Sequence, residues 1–200
     1  MQVIEYKILK PHQSVLKAYL REPVAESDLT AFRDAMRTLL RRIDPEKLEE
    51  YNKILVADFF NQSLYKGNKY MVNICDRADL AIYPELGSPV VLFEFKGPGR
   101  PDMVTKENLK QKALYELVLY YIREEVKNNN TDIKHLVITN CWEYFIFDKK
   151  DFYQWFARNK RFTQSILDAE ASGEPNDYIY YLPYCGTSAL QNNPLVVQSD

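Results

Sequence analysis

The segment Val-Val-Leu-Phe-Glu-Phe-Lys at residues 90–96, cut off at once by Gly97-Pro98-Gly99, constrains this 200-residue chain more than any other stretch. A short, near-continuous apolar run that ends on a Gly-Pro break reads as a strand covered on both faces, and such strands lie inside a sheet flanked by helices. Side chains alternate across a strand, so Val90, Leu92, Glu94 and Lys96 should share one face and Val91, Phe93 and Phe95 the other. The first face then turns from apolar to charged at the strand's carboxyl end, the edge where open α/β sheets place ligands. A carboxylate and an ammonium there must pair, bind a metal or accept a solvation cost on the order of several kcal/mol.

The neighbouring segments supply the rest of such a sheet. Residues 70–74 and 78–83 read as strands, the second opening on Asp79, and a loop over residues 84–89 closes a hairpin that brings Asp79 opposite the end of the central strand. Leu109, Ala113, Leu117, Tyr120 and Tyr121 recur at helical spacing within residues 106–127, a helix stopped by Asn128-Asn129-Asn130. Residues 134–139 and 143–147 read as strands, and 151–159 and 163–171 as helices. Upstream, a short helix is expected over residues 14–21, with Leu16, Tyr19 and Leu20 as its apolar face. Asp28 reads as the N-cap of a helix through Arg42, and Pro45 as the first residue of another running to about Tyr65. The expected fold class is α/β, a mixed central sheet flanked by helices. Residues 1–27 would be an N-terminal arm, 28–171 the domain, and 172–200 a tail or a linker to a further domain of a longer protein.

Composition excludes several chemistries. With only His12 and His135, histidine-based hydrolysis and zinc sites are almost unsupplied. Cys75, Cys141 and Cys185 are odd in number and form no CxxC pair, so they read as buried thiols. No apolar stretch is long enough to cross a bilayer and the first residues lack a signal's apolar core, which suggests a cytoplasmic protein without a membrane partner. Catalysis would rest on carboxylates and lysines. The net charge of −2 gives the chain no general pull on nucleic acid. The basic runs at Arg37, Arg41 and Arg42, at Lys106, Lys110 and Lys112, and at Arg158, Lys160 and Arg161 read first as solvated faces.

Asp79 and Glu94, with the Phe95 backbone carbonyl, are hard oxygen donors suited to Mg²⁺, with Mn²⁺ as a substitute. Lys96 reaches the same spot, where it could position or deprotonate a water or stabilise charge on a scissile phosphate. Asp76 is a rival for the aspartate role. Gln111 and Tyr115, four apart on the expected helix, would share a face beside Lys112. In the helix after Pro45, Glu49 lies nearer the face of Leu48, Asn52, Leu55 and Phe59 than Glu50 does, and is the better third acid.

Taken with these residues, the chain resembles the PD-(D/E)XK nucleases, and more closely the N-terminal cleavage domain of Type IIG restriction-modification enzymes. The resemblance covers residues 8–170 and rests on LKPHQSVLKAYL, EEYNKILVADFF, DRADLAIY, VVLFEFK, KALYELVLYYIREE and LVITNCWEYFIFDKKDF. It implies a restriction-endonuclease-like core, metal ligation by Asp79 and Glu94, a catalytic lysine at Lys96, and assistance from one acidic residue of the Glu49-Glu50 pair. Gln111 and Tyr115 are similar to the QxxxY helix of RecB-like nucleases. The implied activity is Mg²⁺-dependent cleavage of double-stranded DNA leaving a 5′-phosphate, with transient pairing of two domains for a double-strand break. The methyltransferase and recognition parts would lie downstream, since Asn193-Pro194-Leu195 is no NPPY motif and there is no glycine-rich cofactor loop. A standalone RecB-like exonuclease and a catalytically silent DNA-binding module are the alternatives.

Overall fold

The structure, a computed structural model, describes residues 6–67, 69–75, 78–173 and 195–198. In chain order these form β1 (Tyr6–Leu9), α1 (Pro11–Ser14), α2 (Glu26–Arg42), α3 (Glu49–Gln62), β2 (Tyr70–Cys75), β3 (Ala78–Pro84) and β4 (Val91–Phe95). They continue with α4 (Lys112–Ile122), β5 (His135–Thr139), β6 (Tyr144–Asp148), α5 (Lys149–Phe152), α6 (Lys160–Ala171) and β7 (Leu195–Gln198). The chain is α/β, with a mixed sheet between helical layers.

The strand order is β1-β7-β6-β5-β4-β3-β2. Strands β2, β3 and β4 form an antiparallel meander, β4 and β5 run parallel across α4, and β6 returns antiparallel to β5. Beyond these five, β7 meets β6 at the single pair Ile146 and Gln198, and β1 runs parallel to β7. The N-terminal arm and the tail therefore each lend a strand to the sheet's edge. Asp76, Cys185 and Asn193-Pro194 lie outside the described residues.

Strand β4 is central and covered on both faces, as its apolar run requires. Leu92 packs with Ala81, Leu136, Ala113, Leu117 and Tyr121 beneath α4, and this core continues to Phe152, Phe162 and Ile166. Phe93 and Phe95 pack on the opposite face with Leu80, Ile82, Leu39, Leu55, Val56 and Phe59 of α2 and α3. Val90, expected beside Leu92, precedes the strand and packs with Phe93 instead.

Helix boundaries differ from the expectations for local reasons. Helix α2 starts at Glu26, so Asp28 lies in its first turn, where a carboxylate complements the helix dipole, and Ala25 holds the cap position. Helix α3 starts at Glu49 rather than Pro45, because Asn52 ties down the turn before it: its side chain accepts from the Asp44 amide and donates to the Asp44 carbonyl. Helix α4 begins only at Lys112; Thr105 and Asn108 exchange backbone hydrogen bonds in a local turn that diverts residues 105–110 from helix. Its far end widens into a π-helical turn, Arg123–Lys127, and Asn129 follows with φ 53°, the left-handed geometry that ends helices. The helix expected over residues 14–21 is reduced to α1 and a 3₁₀ turn, Tyr19–Arg21, and Leu16, Tyr19 and Leu20 are exposed. Cys141 is buried, which pushes its thiol up to about 12, whereas Cys75 is half-buried.

Candidate active site

The site forms where the carboxyl end of β4 meets the start of β3 and the first turns of α3 and α4. On β3, Leu80 pairs with Ile74 and Ala78 with Cys75, so Asp79 is the extra residue of a β-bulge. A bulge re-aims the side chain it carries. Asp79 Oδ2 accepts the Phe95 amide at 2.8 Å and Oδ1 accepts Lys53 Nζ of α3 at 2.8 Å. The hairpin thus brings Asp79 to the end of β4, and the Phe95 backbone with it.

Glu94 is only 1 % exposed, on the α4 side of the sheet as alternation requires. Its Oε1 lies 2.5 Å from Lys96 Nζ, and its Oε2 is buried without a hydrogen-bond partner among the described residues. Burial, then the Asp79 carboxylate, push the Glu94 carboxyl well above its ordinary range, and Lys96 offsets this only in part. Lys96 Nζ also sits 2.6 Å from Glu116 Oε2 of α4. Burial works against its charge, but Glu94 and Glu116 outweigh it and hold the ammonium above the usual amine range. Lys53 shows the same balance between burial and its partners Asp79 and Glu50.

These ion pairs, with the repulsion between Glu94 and Asp79, make one run of charge. In space it reads Lys112, Glu116, Lys96, Glu94, Asp79, Lys53, Glu50, with Lys112 Nζ 3.6 Å from Glu116 Oε1. Signs alternate at every step but one. The exception is the step from Glu94 to Asp79, where one carboxylate acts on another through its charge, and Glu94 carries the unpartnered oxygen.

A family model described as a domain of unknown function (DUF7149) matches residues 9–182. The chain belongs to that family. No curated protein and no solved structure matches.

The remaining expected residues are placed as follows. Glu49 reaches the site's edge, its Oε2 accepting the Gly97 amide at 2.8 Å just past Lys96. Glu50 also serves the site, through Lys53, rather than pointing away from it. Gln111 is the N-cap of α4 in extended conformation and makes no side-chain capping bond. Its carbonyl accepts the Tyr115 amide at 3.4 Å, the first i, i+4 bond of the helix. Tyr115 packs at the margin of the α4 core. Among the described residues, no group of three or more His, Cys, Asp or Glu side chains is arranged to hold a metal. The expected donors, Asp79, Glu94 and the Phe95 carbonyl, are all oxygen and would suit a hard ion rather than zinc.

Three participants escaped the sequence reading. Lys53 and Glu116 are charged residues on inward helical stripes, Lys53 among Asn52, Val56 and Phe59, Glu116 among Ala113, Leu117 and Tyr120. A charge on an apolar stripe was the available signal. Tyr120 is the third: burial, then Glu94, Asp79 and Glu116, push its phenol far up, so the hydroxyl senses all three carboxylates.

Proposed function

We propose that this chain is a Mg²⁺-dependent deoxyribonuclease of the PD-(D/E)XK type, centred on Asp79, Glu94 and Lys96. One observation carries it: the alternating run of charge breaks only at Asp79 and Glu94, where Glu94 Oε2 is buried and unpartnered among the described residues. A buried carboxylate oxygen without a donor is costly, and a second carboxylate beside it raises the cost. Such an arrangement suits a cation. Asp79, Glu94 and the Phe95 carbonyl would hold it, and when bound it supplies an activated water and a Lewis acid for the phosphate.

The chain's own groups do the rest. The Phe95 amide and Lys53 each take one Asp79 oxygen and leave a lone pair on both. The Lys96 ammonium has three protons, two of them directed at Glu94 and Glu116. The third remains for a water or a phosphoryl oxygen. Held charged by two carboxylates, Lys96 is suited to stabilising negative charge on the phosphate rather than to removing a proton.

The sequence likeness to Type IIG cleavage domains supports placing the chain as the cutting module of a restriction-modification enzyme. A net charge of −2 accords with recognition and most of the grip on DNA residing in other domains. Each site cuts one strand, so two copies would pair transiently for a double-strand break. The test is nicking of supercoiled plasmid in Mg²⁺ by the chain and by Lys96→Ala, alongside Mn²⁺ binding by both. Cleavage by the wild type alone is expected. Equal cleavage by both, or no cleavage together with no metal binding that depends on Asp79 and Glu94, overturns the proposal in favour of a nuclease-like DNA-binding module.

A further inference from the structure

Lys96 is shared between two carboxylates, and only one of them belongs to its own strand. Glu116 comes from the first turns of α4, on the inward stripe with Ala113, Leu117 and Tyr120. Its Oε2 lies 2.6 Å from Lys96 Nζ and its Oε1 3.6 Å from Lys112 Nζ, so one oxygen faces the site and the other a half-exposed lysine. Lys96 itself is 6 % exposed.

In so buried a place an ammonium collapses onto whatever carboxylate is in reach, because attraction at low dielectric is strong. With Glu94 as its one counter-ion, Lys96 would settle across both Glu94 oxygens. The geometry differs: Glu94 Oε1 is engaged at 2.5 Å and Oε2 has no partner. We propose that Glu116 is a positioning residue that draws the Lys96 ammonium toward α4, and so keeps the second oxygen of Glu94 open for a divalent cation. The inference rests on the nuclease reading of the site. Glu116 touches neither the substrate nor the metal donors; it acts through Lys96. Lys112, one turn earlier on the same helix, braces it from the solvent side.

The test follows Lys96 directly and separately from activity. In the full chain the ¹⁵N-labelled Lys96 ammonium, identified by its loss in Lys96→Met, should give a protected NH₃⁺ resonance. Glu116→Gln should abolish or displace that resonance. At saturating Mg²⁺ and plasmid it should lower kcat by about ten- to a hundredfold while KM stays within about twofold, the loss typical of a displaced catalytic group. Glu116→Asp, which keeps the charge, should recover part of both, and its thermal unfolding guards against a folding defect. An unchanged Lys96 resonance in Glu116→Gln, or a changed resonance with unchanged kcat, overturns the proposal. A wild type that neither cleaves DNA nor binds Mn²⁺ defeats the nuclease reading instead. Even then, loss of the resonance in Glu116→Gln supports Glu116 as the group that holds Lys96, and its persistence overturns that role.

Discussion

The two ends of α4 both carry buried charge, and they differ in how Glu170 and Glu94 are paired. At the far end, Glu170 of α6 receives Arg123 on one oxygen and Lys127 on the other, while Glu124 receives Asn128 on one and Asn130 on the other. Each of those four oxygens has a donor, although Glu125 in the same turn pairs only one oxygen, with Lys149, and its Oε2 is buried without a partner among the described residues. At the near end, Lys96 bridges two carboxylates, yet Glu94 keeps an unpartnered oxygen beside Asp79. The titrations follow. Burial works to raise Glu170, but Arg123 and Lys127 outweigh it and leave its carboxyl below the ordinary range, whereas burial and Asp79 drive Glu94 above it. An unpartnered oxygen alone does not separate the two ends; Glu94 stands out because a second carboxylate, Asp79, acts on it as well, and that combination makes it a candidate for chemistry.

The largest expected difference between the two ends is in rate. Lys96→Ala should reduce plasmid cleavage on the order of 10³-fold, the scale of losing a charge-stabilising group, while Arg123→Ala should leave cleavage by the folded protein within about twofold. The two ends are expected to exchange ranks in stability. Glu170→Ala leaves Arg123 and Lys127 without their shared carboxylate, and should cost about 3 kcal/mol in denaturant unfolding. A loss under about 1 kcal/mol would show the far cluster to be ornamental.

Metal sharpens the contrast next. At Mg²⁺ a hundredfold above its Kd, the wild type should gain about 2.7 kcal/mol, read as a Tm rise of roughly 5–10 °C. Asp79→Asn and Glu94→Gln should lose that shift and Glu170→Gln should keep it. Without metal, Glu94→Gln should itself be more stable than wild type by about 1 kcal/mol, since it removes a buried like charge and Lys96 retains Glu116. A less stable Glu94→Gln would mean the Glu94–Lys96 pair outweighs the repulsion from Asp79.

The smallest effects are in pH. Glu170 titrates lower in the folded chain than its ordinary value of 4.5, so its contribution is complete above 4.5 and fades as pH falls through the folded value. Glu94 titrates higher than 4.5 when folded, so its cost is absent below 4.5 and grows as pH rises toward the folded value. Unfolding curves from pH 3 to 8 should therefore show the wild type and Glu170→Gln converging in acid. The gain of Glu94→Gln should appear only above about pH 4.5. Parallel curves for both variants would erase the distinction between the two ends.

Much of the frame was legible in advance because alternation and apolar runs are local signals. The five strands between Tyr70 and Asp148 all fall within a residue or two of expectation. The start of α4 was not legible: residues 106–110 carry a plausible apolar spacing through Leu109, and only the Thr105–Asn108 turn takes them out of helix. The same turn makes Gln111 the cap of α4 rather than an interior residue. Lys53 and Glu116 were visible as charges on apolar stripes, but their partners are 26 and 20 residues away along the chain.

By itself the sequence determined that Glu94 and Lys96 share the charged end of a central strand, because a period of two and a Gly-Pro stop depend only on neighbours. It also determined the chemical class of the donors, since carboxylates and lysines are nearly all the chain offers. The tertiary structure alone decided which charges meet. The bulge that turns Asp79 to Phe95, the helix register that lowers Lys53 and Glu116 onto the strand end, and the burial that leaves Glu94 Oε2 unpartnered all arise from packing between distant segments, where desolvation sets the energy of each charge.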